Sequence, residues 1–355
     1  MKPYVLSSDQ HAHNWSQFSQ VGADGINTRL AAILAEIERS ADTLLKAGGT
    51  HMFLGGDLFH VRGRIEPEVL NPTMDLFKRI CAKGIKVHAI AGNHDLSGKF
   101  SSKLGNAMQA LDEIEGFMAI TTPTLVKMTE NGQPTTEVMM IPWIEDLNDL
   151  RSVCKSHAGV DRDLIIHAPL NGVIKGLPDH GLDPVEVAAW GYKRVFIGHY
   201  HSHQEPVPGV YSIGATAHQT WSDPDTIAGF IVVDETSIQH YETAAPQFVN
   251  VDDGQFDANY VFGNYCRLRL KDADEQTIKD LRVNLIASGA LGIVDHSSKK
   301  REVRRGAAST SGNVTLEVSV ATFVMKTQDT KLDRRIIARE ALDILTEART
   351  VGADE

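Results

Sequence analysis

Short apolar segments alternate with amphipathic ones along the first part of the chain. Segments 2–9, 50–57 and 85–92 are mainly apolar and have the length of strands. Between the first two, residues 26–47 place apolar side chains at spacings of three and four, which predicts a helix with one apolar face. Residues 66–83 also suit a helix. The resulting order, β-α-β-α-β, predicts a parallel sheet covered by helices and therefore an α/β fold.

The later part of the chain continues with strand patterns and then changes character. We predict a hairpin at 124–142 around Asn131-Gly132, a helix at 145–157, strands at 161–169, 192–201, 209–217 and 228–242, a helix at 273–288, a strand at 315–325 and an amphipathic helix at 334–345. A boundary near 250–262 separates a large domain at 1–250 from a small domain at 260–326 and a C-terminal helix at 330–350.

Composition limits the classes of protein that fit. The chain has 355 residues, of which 42% are hydrophobic, enough for one large core and a smaller one. It contains no apolar run of membrane-spanning length and begins without a signal-peptide pattern, so we expect no membrane association. Cys81, Cys154 and Cys266 lie far apart, which favours reduced thiols and a cytoplasmic location. A net charge of −11 argues against strong autonomous binding to nucleic acid, although a partner could supply the affinity for it.

Side chains that bind metals follow five of the predicted strands, in the segments SSDQH, GGDLFH, AGNHD, IIHAP and GHYH. One histidine after a strand is usually a core or loop residue, but five such segments in succession predict a shared site at the carboxyl edge of the strands. Oxygen and imidazole donors without thiolate suit two divalent ions such as Mn²⁺, Fe²⁺ or Zn²⁺. The candidate ligands are Asp9, His11, Asp57, Asn93, His167, His199 and His201.

The ordered motifs D-x-H, GD, GNH, H and GHxH resemble those of the calcineurin-like metallophosphoesterase superfamily. Within it, GGDLFH is similar to the SbcD-type nuclease subunit of double-strand-break repair and recombination complexes, and the chain length favours a phage version. The resemblance covers residues 1–245. It implies a β-sandwich flanked by helices, a small α+β capping domain and a C-terminal helix that docks an SbcC-type coiled-coil ATPase.

The resemblance also implies a role for each motif residue. Metal one would be held by Asp9, His11, Asp57 and His201, and metal two by Asp57, Asn93, His167 and His199. His94 would be the catalytic imidazole that assists the leaving group, and His60 would orient or assist it. Asp95 would be a structural partner rather than a ligand. The ions would be Mn²⁺ by preference, with Mg²⁺, Fe²⁺ or Zn²⁺ as alternatives.

Two places depart from the family pattern. The first motif continues as Ala12-His13-Asn14-Trp15, where His13 would face either the phosphate or solvent. The family's Ser-Pro after GVYSIG is replaced by Ala215-Thr216-Ala217-His218, which puts the DNA-contact geometry there in doubt.

Basic loops are candidate DNA contacts on this acidic chain, although a solvated loop is the competing interpretation for each. The candidates are Arg62, Arg64, Lys99, Lys103, Lys299, Lys300, Arg301, Arg304 and Arg305. We also expect a homodimer, which the resemblance would place at helices near 66–80 and 105–114, although their apolar residues would serve equally as core.

The leading functional hypothesis is a two-metal DNA exonuclease and endonuclease that acts beside an ATPase. The main alternative is a small-molecule or nucleotide phosphodiesterase or phosphatase on the same fold, which would be indifferent to DNA. A non-catalytic DNA-end-binding protein would be expected to have lost a ligand, and none of the seven is missing.

Overall fold

The computed structural model describes residues 2–98, 105–130, 133–298, 316–326 and 333–351. The chain divides into two compact units, Met1–Lys300 and Arg301–Glu355. Within the described ranges, no helix is both long enough and apolar enough to cross a membrane. All three cysteines are free thiols.

The first sheet is built on the predicted β-α-β-α-β unit. Its strands are, in spatial order, β12 (Ile238–Glu242), β11 (Gly229–Val233), β1 (Tyr4–Ser7), β2 (His51–Leu54), β3 (Lys86–Ile90) and β4 (Phe117–Ile120). Strands β1 to β4 run parallel, and β11 and β12 form an antiparallel hairpin at one edge. The parallel, helix-connected sheet that the sequence predicted is therefore confirmed.

Two long helices connect these parallel strands. Helix α1 (Thr28–Lys46) begins at Asn27, whose side chain accepts hydrogen bonds from the first-turn backbone, and ends before Gly48, which has φ of +81°. Helix α2 (Pro67–Ala82) begins with a proline, whose missing N–H costs nothing at that position.

The second sheet also has six strands. In spatial order they are β5 (Thr124–Glu130), β6 (Gln133–Ile141), β7 (Arg162–His167), β8 (Arg194–Gly198), β10 (Val210–Ser212) and β9 (Gln204–Val207). Strands β6, β7, β8 and β10 are parallel, while β5 and β9 pair antiparallel at the two edges. Helices α3 (Leu147–Ser156) and α4 (Pro184–Ala188) belong to this half of the fold. The β5–β6 hairpin is confirmed, but its predicted turn, Asn131-Gly132, lies outside the described residues.

The two sheets pack face to face with helices on the outside. Along β1, Tyr4 and Leu6 point into the core between the sheets, where they meet residues such as Phe196 of β8. Val5 points the other way and packs with Leu30 of α1. The fold is thus a β-sandwich flanked by helices, as expected.

A small three-stranded parallel sheet follows the sandwich. Its strands are β13 (Phe248–Val251), β14 (Tyr265–Leu268) and β15 (Gly292–Asp295), with helices α5 (Ala258–Val261) and α6 (Glu275–Ala287). They enclose a separate apolar core. The domain limits predicted from the sequence, 1–250, 260–326 and 330–350, stay predictions.

The strand predicted at 315–325 is wrong. Its β-branched residues favour a strand locally, but the segment is helix α7 (Leu316–Lys326), which packs against α8 (Arg334–Val351). Tertiary packing between the two helices outweighs a local strand preference of this size.

Most apolar residues of the two segments expected at a dimer contact, 66–80 and 105–114, serve the core of one chain. Leu76, Phe77, Met108 and Leu111 are completely buried, and Ile114 is nearly so. Leu70 and Met74 are half-buried against the same core. A dimer therefore stays a prediction without an assigned surface.

Candidate metal centre

The two large sheets bring the predicted ligands to one edge. Asp9 and His11 follow β1, Asp57 follows β2 and Asn93 follows β3, all from the first sheet. His167 ends β7, and His199 and His201 follow β8, both in the second sheet. Six of the seven form two groups whose ligand atoms lie within 4.8 Å of one another: Asp9, His11 and His201, and Asp57, His167 and His199.

Asp57 belongs to the second group and also approaches the first. Its Oδ2 is 3.7 Å from His11 Nε2 and 3.3 Å from His167 Nε2. Its Oδ1 accepts a hydrogen bond of 2.8 Å from the backbone N–H of His94. The seventh predicted ligand, Asn93, places Oδ1 3.1 Å from His199 Nδ1. The position of Asp57 suits a carboxylate that bridges two ions.

Strained backbone holds several of these residues. Asp9, His11, Asp57 and His199 have φ of +50°, +45°, +55° and +116°, and they are four of the seven non-glycine residues with positive φ in the described chain. Such conformations cost free energy and persist where the surroundings impose them, often at functional sites. Hydrogen bonds between the first two motifs do so, since Asp9 N donates to Gly56 O and His11 N donates to Asp57 O.

The glycines of the motifs are required by close approach. A Cβ added at Gly92, in the AGNHD motif, would overlap the carboxylate and backbone nitrogen of Asp57. A Cβ at Gly56 would overlap the imidazole of His167. The motifs therefore contain glycine where neighbouring ligands occupy the space of a side chain.

Hydrogen bonds fix the tautomers of two candidate ligands. His167 Nδ1 donates to the carbonyl of Gly55 at 2.8 Å. His201 Nδ1 donates to Oδ1 of buried Asp223 at 2.7 Å. In each case Nδ1 is engaged, so Nε2 is the nitrogen that faces the site, the arrangement usual for metal-binding histidine.

Two buried polar atoms of the site fit a metal. Asp9 Oδ1 and His167 Nε2 are buried and form no hydrogen bond within the described residues. A buried polar atom left without a hydrogen bond costs free energy, which a coordinated cation would remove. These orphaned atoms, one in each group, and the all-oxygen-and-imidazole donor set suit a pair of divalent cations.

The pKa shifts of these side chains indicate which of them are charged at neutral pH. Burial alone would raise the pKa of Asp57, but the charge of His167 and the other imidazoles hold that pKa below its ordinary value, so the carboxylate is ionised. Burial and the neighbouring His167 lower the pKa of His199 to about 3, which keeps this imidazole neutral. Burial lowers the pKa of His167, but Asp57 outweighs burial and raises it to about 9. Metal binding there would release a proton.

His94 and His60 lie beside the first group. His94 Nδ1 donates to the carbonyl of His60 at 2.6 Å, which leaves Nε2 available to a substrate. The two rings stack with centroids 5.3 Å apart, and His60 Nδ1 is 3.2 Å from His11 Nδ1. The ring of Trp15 covers His60 at 4.5 Å. The placement is compatible with the catalytic and assisting roles expected of His94 and His60.

Two residues outside the ligand set have clear contacts. Asp95 is fully buried and accepts hydrogen bonds from the backbone N–H groups of Leu58, Phe59 and Gly92, which suits a structural partner. The ring of His13 lies 5.1 Å from that of His60 and is half-buried at the border of the site.

The predicted DNA contacts are only partly visible. Arg62 and Arg64 are exposed in the loop that follows the GGDLFH motif. The other seven lie outside the described residues: Lys99, Lys103, Lys299, Lys300, Arg301, Arg304 and Arg305.

Sequence reasoning missed three residues that support the ligands. Asp223 holds His201, as described above. Gln219 donates through Nε2 to the carbonyl of Asp9 at 2.6 Å. Trp143 packs its ring 5.9 Å from that of His167 and 5.6 Å from that of His199. None of the three belongs to a motif, although Trp143 does follow a strand of the second sheet, which was a usable signal.

A model of the calcineurin-like phosphoesterase family matches residues 3–203. The chain belongs to this family. Together with the two ligand groups, membership makes the protein a metal-dependent phosphoesterase.

The chain is also similar in sequence to a phage protein. Over 203 residues the chain is 28% identical to exonuclease subunit 1 of Enterobacteria phage T4. The match covers 56% of this chain and 57% of the phage protein, so it spans little more than half of either.

Three solved structures are similar to parts of the chain at low sequence identity. TT1561 of Thermus thermophilus is 9% identical with a TM-score of 0.39, and 68% of this chain and 99% of that chain are covered. Pseudomonas putida nuclease MPE is 15% identical with a TM-score of 0.29, covering 67% and 87%. Mycobacterium tuberculosis phosphopantetheinyl hydrolase is 12% identical with a TM-score of 0.36, covering 66% and 97%. At such scores these structures add nothing to the family assignment.

Proposed function

We propose that this protein is an SbcD-type nuclease subunit, a two-metal-dependent DNA exonuclease and endonuclease that hydrolyses phosphodiester bonds at DNA ends. The observation that carries the proposal is the similarity to a phage protein named as an exonuclease subunit, in a chain with two adjacent ligand groups. DNA repair or recombination in the cytoplasm, or in the host cytoplasm if the gene is a phage gene, would be its setting.

In this proposal each group of ligands holds one ion. Asp9, His11 and His201 hold the first, and His167, His199 and Asn93 hold the second, with Asp57 shared. A bound pair of ions supplies an activated water nucleophile and neutralises charge on the phosphoryl oxygens, with Mn²⁺ as the first choice and Mg²⁺, Fe²⁺ or Zn²⁺ as alternatives.

The protein's own contribution to the reaction is proton transfer and orientation. His94, whose Nδ1 proton is engaged by the carbonyl of His60, presents Nε2 to the leaving oxygen and donates a proton to it. His60 keeps this ring in place by stacking. General acid catalysis of this kind contributes about 10²–10⁴-fold to the rate.

The proposal includes an SbcC-type ATPase as partner. Helices α7 and α8 pair with each other, yet Val318, Phe323, Ile336 and Ile344 are more exposed than buried. An apolar surface on a helix pair suits a helical partner. The net charge of −11 supports the need for a subunit that contributes DNA affinity. A homodimer is part of the same proposal.

The test uses end-labelled linear duplex DNA with Mn²⁺, Mg²⁺ or chelator. We expect Mn²⁺-dependent shortening that His94→Gln reduces by about 10²–10⁴-fold. His157→Gln, at the C-terminal end of α3 and outside the site, is the matched control and should retain activity.

A chromogenic phosphodiester assayed in parallel separates the alternative. Turnover of the small ester with DNA left intact, even with the ATPase partner present, would replace the nuclease assignment by a small-molecule phosphodiesterase. Full nuclease activity in His94→Gln would remove the role of that imidazole and leave the metal assignment standing.

A further inference from the structure

Arg29 is a buried cation outside the metal centre. It lies in the first turn of α1, and only 4% of the residue is exposed. Within the described part of the chain its guanidinium forms no ion pair with a carboxylate. It donates instead to two backbone carbonyls, those of Gln17 and Gln219. Burial lowers its pKa to about 10, so it remains charged at neutral pH.

Aromatic rings from two parts of the fold surround this guanidinium. Its central carbon lies 5.0 Å from the ring centroid of Trp15, 5.0 Å from that of Phe248 and 5.7 Å from that of Tyr265. We call these three rings the aromatic cage. Phe248 belongs to β13 and Tyr265 to β14, so two walls of the cage come from the small sheet. Cation–π attraction is strongest where the cation is desolvated, as it is for Arg29.

Gln219 connects the guanidinium to two candidate ligands. Its carbonyl accepts from Arg29, its side-chain Nε2 donates to the carbonyl of Asp9, and its backbone N–H donates to Asp223 Oδ2 at 2.7 Å. Asp223 in turn orients His201. Gln219 therefore links Arg29 to Asp9 directly and to His201 through Asp223, and these two ligands belong to the same group.

A second set of contacts connects Arg29 to His11. Trp15, the third wall of the cage, donates through Nε1 to the carbonyl of His11 at 3.3 Å. His11 completes the same ligand group. In contrast, neither Gln219 nor Trp15 forms a hydrogen bond with Asp57, His167 or His199 within the described residues.

We propose that Arg29 is a positioning residue. Through its contacts, the position of the small β13–β15 sheet fixes the positions of the ligands Asp9, His11 and His201. This inference rests on the metal-binding roles proposed above. A planar guanidinium can face three rings and donate to two separate carbonyls, whereas a lysine ammonium is a point charge that cannot reproduce both sets of contacts.

The test measures metal binding rather than turnover. Apo protein is titrated with Mn²⁺ by calorimetry and by electron paramagnetic resonance of free Mn²⁺. We expect two ions in the wild type. In Arg29→Met the dissociation constant of one ion should rise about 10–100-fold, as for other residues that orient ligands, while the second ion is retained. Arg29→Lys should fall between the two.

Arg39→Met is the matched control. Arg39 lies on the same helix, 4.6 Å over the ring of Phe230, and donates to the carbonyl of Glu242 as well as to Glu36. Its contacts do not lead to the metal centre, so both ions should bind as in the wild type.

A thermodynamic cycle identifies the affected ion. In a His167→Ala background, which removes the second site, Arg29→Met should still weaken the remaining ion. In a His201→Ala background it should have no further effect. Tyr265→Leu removes the cage wall that β14 contributes and should weaken binding of the same ion. If Arg29→Met fails to fold, Tyr265→Leu provides the test of the proposal.

Several outcomes overturn the proposal. If Arg29→Met or Tyr265→Leu weakens the binding of both ions equally, the substitution loosens the protein structure in general. If it weakens the binding of neither ion, the cage does not act on the ligands. A wild type that binds two ions but leaves DNA intact would overturn the nuclease assignment alone. A wild type that binds no Mn²⁺ would overturn both.

Discussion

A pair of buried histidines at the other end of the first sheet should make the protein's stability sensitive to mild acid. His51 of β2 and His88 of β3 stack with ring centroids 5.6 Å apart, and both are less than a tenth exposed. Neither ring nitrogen of His88 has a hydrogen-bond partner in the described residues. Burial, with charge repulsion from the other imidazole and Lys86, lowers the pKa of His88 to about 3. Burial and neighbouring lysines lower the pKa of His51 to about 4.

The sign and size of the effect follow from proton linkage. Below the ordinary histidine pKa of about 6.5 the unfolded chain takes up protons that the folded chain does not, so stability falls as the pH falls. The loss is about 1.4 kcal/mol per pH unit and per histidine until the pH reaches the folded-state pKa. Between pH 7 and pH 5, each of His51 and His88 therefore costs about 2 kcal/mol of unfolding free energy.

Replacing one ring isolates this contribution. In His88→Phe, the loss of unfolding free energy between pH 7 and pH 5 should be about 2 kcal/mol smaller than in the wild type. At pH 7 the variant should be at least as stable, because two buried nitrogens without partners are removed. The measurement is urea unfolding at pH 7, 6 and 5 with chelator present, so that metal binding does not contribute.

The comparison between variants decides the outcome. Other histidines titrate in the same range, but they do so equally in the wild type and in His88→Phe. His157→Phe, at the end of α3, controls for the loss of one imidazole from the chain. The reasoning is refuted if His88→Phe and the wild type lose the same unfolding free energy on acidification.

Three further predictions concern stability and the site. Asp163→Asn leaves the buried Arg194 guanidinium without its carboxylate and should cost about 3–5 kcal/mol in urea unfolding; a loss below about 1 kcal/mol would contradict this. Gly92→Ala places a Cβ against the Asp57 carboxylate and should reduce phosphodiester turnover by about 10²-fold, so near-normal turnover would contradict the packing. Mn²⁺ at 100 times its dissociation constant should add about 2.7 kcal/mol to the unfolding free energy, reversed by chelator, whereas an unchanged melting curve would speak against a preformed site.

The convergence of the candidate ligands could be predicted because each of them ends a strand or follows one within a few residues. Strand ends are readable from local patterns, and parallel strands deliver their ends to one edge. Asp223 and Gln219 could not be found this way, since they contact His201 and Asp9 from a loop whose path depends on the whole sandwich. The helix at 316–326 was missed for a related reason: its β-branched residues favour a strand locally, and its contact with helix α8 cannot be read from a local pattern.

The centre depends on the sandwich because neither sheet carries a complete ligand group. Asp9 and His11 come from the first sheet, but His201, which completes their group, comes from the second. The second group combines Asp57 of the first sheet with His167 and His199 of the second. Direct bonds join the two sheets at this point, since the His199 N–H donates to Asp9 Oδ2 and the His167 imidazole donates to the carbonyl of Gly55. The spacing between the ligands is therefore set by the packing of apolar side chains between the sheets. A core substitution that shifts one sheet against the other by about 1 Å would be enough to lower catalysis by about 10²-fold without touching a ligand.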